Sequence, residues 1–126
     1  MILSSLIGNI LLVVLKVLKV DEVEGVNLGN IAIRRTLVYS DNLLMMQAEA
    51  NPGGPPLAHS HPHEQMGYIL QGKVELKAGG ETVVLEAGSS YIIEPNEYHE
   101  IKVIGSDKAI SLDIFHPCRE DYLPSK

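Results

Sequence analysis

With 126 residues, of which 45% are hydrophobic, the chain has the length of one globular domain and enough apolar material for a core. A formal net charge of −6, with no basic run beyond Arg34-Arg35, argues against nucleic acid and against an anionic membrane surface as the main partner. The single cysteine, Cys118, excludes an internal disulfide and fits a reducing cytoplasm, the expected location.

The chain opens on an apolar stretch, Met1 to Leu15, without a charged side chain. It is too short for a membrane span, which takes ~20 apolar residues. It also lacks the basic start and the small-residue cleavage site of a secretory signal. Ile10 to Val20 is expected to form a helix or strand that packs on the main sheet or on a second subunit, with a membrane tether as the lesser alternative. Residues 1–25 are set apart as an N-terminal apolar extension, and 26–126 as the domain proper.

From Leu28 onward, short runs rich in Val, Ile, Leu, Thr and Tyr alternate with polar residues, and turn residues bound them. The predicted strands are 31–39, 43–50, 57–61, 66–70, 74–78, 82–86, 90–93, 99–104 and 109–115. Gly79-Gly80 between two alternating runs predicts a two-residue hairpin turn. Many short strands at even spacing predict an all-β fold, a small antiparallel barrel or jelly roll.

The stretch His59-Ser60-His61-Pro62-His63-Glu64-Gln65 carries the chemistry. On a strand, residues i and i+2 share a face, so His59 and His61 converge. Neutral imidazole is the commonest metal donor. A chance cluster of solvated histidines is the plain alternative for this segment taken alone. His63 is expected at the rim, His116 in solvent, and Tyr68 and Tyr98 packed in the barrel wall. Glu97 and Glu100 flank His99 and are expected to be exposed.

Two spaced motifs complete the pattern. Gly53, His59-x-His61, Gln65 and Gly72 resemble the first motif of the cupin superfamily, and Gly88, Glu94-x-Asn96 and His99 resemble the second. The resemblance implies a cupin barrel (a double-stranded β-helix or jelly roll) with metal ligands His59, His61, Gln65 and His99. Three departures stand out. Gln65 replaces the usual Glu, Glu94 and Asn96 occupy the usual Pro and Gly places, and Val103 replaces a final Asn. Asn tolerates the left-handed backbone that such a turn requires.

Three imidazoles and an amide leave the charge of a divalent ion uncompensated, which favours Lewis-acid work on anionic ligands. The donor set accepts Zn, Ni, Mn, Co or Fe and does not choose among them. It departs from the two-histidine, one-carboxylate set of many iron oxygenases. A Gln65 that only hydrogen-bonds a neighbour, beside a site of three His ligands, is the alternative.

Near the C-terminus, Asp113 and Phe115 share one face of the last predicted strand. An inward Asp113 implies function or pairing with Arg119; an outward one would be solvated at a strand end. The run from His59 through Gly72, with this tail, resembles the small cupins of the pectin-degradation (KdgF) type. That group includes enzymes that open 4,5-unsaturated uronates to linear keto-uronates, using a metal held by three His and a Gln. Its functional Asp, Phe and Arg positions correspond here to Asp113, Phe115 and Arg119.

The resemblance implies a metal-dependent, isomerase-like ring opening of a small sugar acid. The ion would engage the substrate carboxylate and the oxygen that becomes an enolate. Asp113 would move the proton, Arg119 would pair with carboxylate, and Phe115 would stack on the sugar. A metal-dependent oxygenase and a non-catalytic binding module for a small acid remain open. A homodimer formed through an exposed sheet edge and the apolar N-terminus is expected.

Overall fold

In the computed structural model, residues 2–7 and 10–124 are described, with side chains from Leu15 onward. Twelve strands account for the regular structure there: β1 (Ile2–Ile7), β2 (Ile10–Lys16), β3 (Val26–Leu28), β4 (Ala32–Tyr39), β5 (Leu44–Ala50), β6 (Leu57–His59), β7 (Glu64–Gln71), β8 (Lys73–Ala78), β9 (Glu81–Glu86), β10 (Ser90–Ile93), β11 (His99–Ile104) and β12 (Ala109–His116). Two single-turn 3-10 helices, Val20–Glu22 and Glu120–Tyr122, complete it. No helix among these residues is long and apolar enough to cross a membrane.

Alternating sequence becomes two facing antiparallel sheets. One has six strands in the order β10-β7-β12-β5-β4-β3, and the other has four in the order β6-β11-β8-β9. Crossovers between non-consecutive strands give the jelly roll that the sequence rhythm predicts. Leu44, Met46 and Phe115 form one buried cluster between the sheets, and Ile69, Val74 and Ala109 form another. Gly79 and Gly80 both take positive φ, which a tight hairpin between β8 and β9 demands. Asn96 does the same at φ 66°, so the Gly-to-Asn departure leaves the second-motif turn intact.

Strands 90–93 and 99–104 fall where the sequence places them. The strand expected over 57–61 stops at His59, and the following strand begins at Glu64 rather than Met66. Pro62 has no N–H to give to a ladder, so the chain leaves the sheet there. The freed His61 carbonyl accepts the backbone N–H of Asn96 at 2.7 Å, which ties the two motif loops together.

Ile10–Lys16 is a strand, but it pairs with Ile2–Ile7 in a two-stranded sheet separate from the barrel sheets. The packing expected of Ile10–Val20 lies, up to Val14, outside the described side chains. Lys16 Nζ sits 4.6 Å from the centre of the Tyr39 ring, at the end of β4. Among the exposed apolar residues of the barrel, Val83 and Val84 stand on the edge strand β9, and several others share one outer sheet face. Met66, Tyr68 and Leu70 of β7 and Ile92 of β10 stand there, beside Leu112 and Ile114 of β12. Tyr68 is therefore exposed, and so is Tyr98, whose hydroxyl donates to Glu100 at 3.1 Å. Neither packs in the barrel wall, because each takes the outward-facing or loop position next to an inward neighbour.

Candidate metal centre

His59 ends β6, His99 begins β11, and the two are cross-strand partners. His61 follows on the loop that Asn96 anchors. The three rings converge with centroid separations of 4.5 to 5.2 Å, and one ligand nitrogen from each lies within 4.8 Å of the others. Strand alternation brings His59 to this point, and the tied loop rather than the strand brings His61.

Hydrogen bonds to backbone fix which nitrogen of each buried ring is free. His99 Nδ1 donates to the Glu97 carbonyl at 2.9 Å, and its Nε2 is buried without any partner. His61 Nδ1 donates to the His63 carbonyl at 3.0 Å, leaving Nε2 as an acceptor. That atom lies 3.0 Å from Gln65 Oε1. The Gln65 amide is oriented by its nitrogen, which donates to Asp113 Oδ1 at 2.9 Å. Two lone pairs therefore face each other. Protonation of His61 would relieve them, but burial, then the Arg119 charge, lowers its pKa. His59 is pushed down to about 4 by burial and by His99 and His61.

A cation shared by the three imidazoles and the Gln65 oxygen satisfies every one of these atoms. The residues thus fit a divalent transition metal, and the donor types leave its identity open among Zn, Ni, Mn, Co and Fe. His63 stands beside the centre, its ring 5.6 Å from that of His61, at the expected rim position.

Behind Gln65 lies the Asp113 carboxyl, only 2% exposed. It faces the interior, yet its partner is not Arg119. Gln65 Nε2 and the Tyr91 hydroxyl donate to Oδ1, and Ser111 Oγ donates to Oδ2 at 2.8 Å. Burial pushes the carboxyl up, against the pull of these three donors. Burial and the adjacent Asp113 raise the Tyr91 phenol, so it remains a neutral donor.

Register makes this contact possible. Tyr91, Gly67 and Asp113 stand in one row across β10, β7 and β12. A Cβ at Gly67 would overlap the Tyr91 phenol and Asp113 Oδ1. Glycine in mid-strand is the opening through which the phenol crosses to the carboxylate.

Arg119 pairs elsewhere because Asp121 is two residues away. Its Nε and Nη2 donate to the two Asp121 oxygens at 3.2 and 2.7 Å, while Nη1 is buried without a partner. The guanidinium lies 3.7 Å from the Tyr122 ring centre and 5.0 Å from that of Phe115. Phe115 is 1% exposed and meets the His61 ring edge-on at 5.5 Å. Between the sheets is a cavity of about 290 Å³, mostly apolar, reaching His59, Gln65, Asp113 and Phe115. This is the lower end of small-ligand pockets. Its walls include the small residues Ala32, Ala48, Ala50 and Ala109.

Residues 46–115 match the cupin domain family. The chain belongs to the cupin family. Among curated cupins, it is 30% identical to the pectin degradation protein KdgF of Dickeya dadantii over 104 residues, covering 82% of this chain and 94% of that one. Among solved structures, KdgF from Halomonas sp. superposes with a TM-score of 0.75 at 24% identity, covering 82% of this chain and 94% of that one. An RmlC-like cupin from Shewanella frigidimarina gives a TM-score of 0.74 at 27% identity, covering 82% and 91%.

In this cupin the sequence motifs single out the three histidines and Gln65, which the structure brings together. They do not single out Tyr91, Gly67 or Ser111. Gly67 in an otherwise alternating strand is the one signal that could have pointed to a close approach.

Two outcomes follow from this geometry. His99→Ala removes a buried donor, so metal affinity measured by calorimetry should fall by more than the ~10–100-fold typical of losing an outer partner. Neutral imidazoles also bear on acid stability. Folded His59 stays unprotonated down to about pH 4, while the unfolded chain binds a proton near 6.5. The unfolded state therefore holds more protons in that window, and stability of the metal-free protein should drop as pH falls from 6.5 to 4. Thermal melts across the window would check it.

Proposed function

We propose that this cupin opens the ring of a 4,5-unsaturated uronate and yields the linear keto acid. The observation that carries the proposal is the Asp113 carboxyl, held inside the barrel against Gln65 and raised by burial. A carboxyl held in this way can take a proton from a bound ligand and return it. Similarity to a curated pectin degradation protein supports a sugar acid as the substrate class.

The step is an isomerisation, with nothing oxidised or reduced. Asp113 takes the proton of the anomeric hydroxyl, the bond from that carbon to the ring oxygen breaks, and an aldehyde forms. The ring oxygen leaves as an enolate, which becomes a ketone when the adjacent alkene carbon gains a proton. Asp113, now protonated, is the donor. Tyr91 and Ser111 hold the carboxyl in place throughout. Phe115 offers an apolar face to the sugar, and Arg119 offers its unpartnered Nη1. His59, His61, His99 and Gln65 would hold a divalent ion, which supplies Lewis acidity to a substrate oxygen.

Loss of the conjugated-alkene absorbance of an unsaturated monouronate tests this directly. Metal-loaded protein should accelerate it, and metal-stripped protein should not. Asp113→Asn, loaded equally, should be slower by roughly 10²–10⁴-fold. No acceleration by demonstrably loaded protein would overturn the proposal. The exposed outer face around Met66, Tyr68 and Ile92 further supports a homodimer, and sedimentation should then give the mass of two chains.

A further inference from the structure

Two adjacent arginines of β4 have opposite fates. Arg35 points outward and pairs with Glu49 at 3.5 Å. Arg34, one residue earlier, turns into the barrel with Ala32 and lines the cavity. Its guanidinium carbon lies 3.9 Å from the Tyr122 ring centre. Its Nε is buried with no hydrogen-bond partner, and no acid among the described residues forms an ion pair with it. Tyr122 gives it a π face but no acceptor.

No other group of the cavity accepts a hydrogen bond from the Arg34 Nε. Asp113 is the cavity's sole carboxylate, and both its oxygens already accept from Gln65, Tyr91 and Ser111. A guanidinium Nε buried without an acceptor is costly, and a planar fork is matched by a carboxylate. The space for one exists, because the cross-strand neighbour on β5 is Ala48, a cavity residue with only a methyl group. Arg119 is less suited to the task, since Asp121 already occupies two of its donors.

We infer that Arg34 is the carboxylate-recognising residue of the barrel, so that the ligand is an acid whose carboxylate seats against Arg34 while its oxygen-bearing end reaches the histidines. This deepens the ring-opening proposal and rests on it for the sugar-acid class, but the binding claim is separately measurable.

The test uses metal-loaded full-length protein and calorimetric titration with galacturonate and its methyl ester. The wild type should bind the acid at least about 10-fold more tightly than the ester, as expected for losing a charge-assisted bond. Arg34→Gln should abolish that preference, and Arg34→Lys should keep part of it. Cobalt loading, read by its visible spectrum, reports an intact centre in each variant. If Arg34→Gln does not fold, the acid–ester contrast in the wild type together with Arg34→Lys decides. Equal affinity for acid and ester in the wild type, no binding of either, or a preference unchanged in the Arg34 variants overturns the inference. An Arg34-dependent acid preference without turnover of the unsaturated uronate sinks only the ring-opening reaction. Turnover with a preference indifferent to Arg34 sinks only the role of Arg34.

Discussion

The burial of one carboxyl group constrains the rest of the interior. Asp113 needs donors where no water reaches, and leaving one bond unmade costs about 1–3 kcal/mol. Three strands answer this need. Ser111 supplies a hydroxyl from the same face of β12, Tyr91 supplies a phenol from β10, and Gln65 supplies its amide nitrogen from β7. Each has a further effect. The Gln65 amide can no longer turn, so its oxygen is aimed at His61. The phenol must cross β7, so position 67 has no room for a side chain. The carboxylate is thus the reason the Gln65 oxygen, rather than its nitrogen, faces the histidines.

A second organising group is the Tyr122 ring. It is carried on the short Glu120–Tyr122 turn, which is tied to β4 by Thr36 Oγ1 donating to the Tyr122 carbonyl. Arg34 and Arg119 both lie against the ring, and Phe115 meets it edge-on at 5.6 Å. Two cations close to one aromatic face a common repulsion. Asp121 offsets it for Arg119 alone. The barrel therefore holds a positive end near Tyr122 and a donor-rich centre at the histidines, joined through Phe115.

Much of this was legible beforehand, for physical reasons that differ from residue to residue. The strands could be read because period-two alternation and glycine turns are local signals, as at Gly79-Gly80. The convergence of His59, His61 and His99, with Gln65 beside them, could be read because the two motifs recur at fixed spacings. That Asp113 and Phe115 share a face could be read, but the pattern leaves open whether that face turns inward. The partners of Asp113 could not be read. Tyr91 and Gly67 lie 24 residues apart in sequence and meet only through the β10–β7 register. Pairing of Arg119 with Asp113 was one of the alternatives for an inward carboxyl, but a carboxylate two residues along its own chain takes Arg119 instead. The exit of the chain at Pro62 shortened β6, and His61 stayed in place because Asn96 holds its carbonyl.

The alanines at 32, 48, 50 and 109 leave a different mark. None belongs to a motif, and none carries a reactive atom, yet their methyl groups mark how far a ligand can extend between the sheets. Each added methylene at one of them would shorten the barrel's usable depth without touching a donor or a proton. Ligand length in this protein is therefore an independent dial from ligand chemistry. Divergence could move that dial through changes that any comparison of reactive residues would pass over.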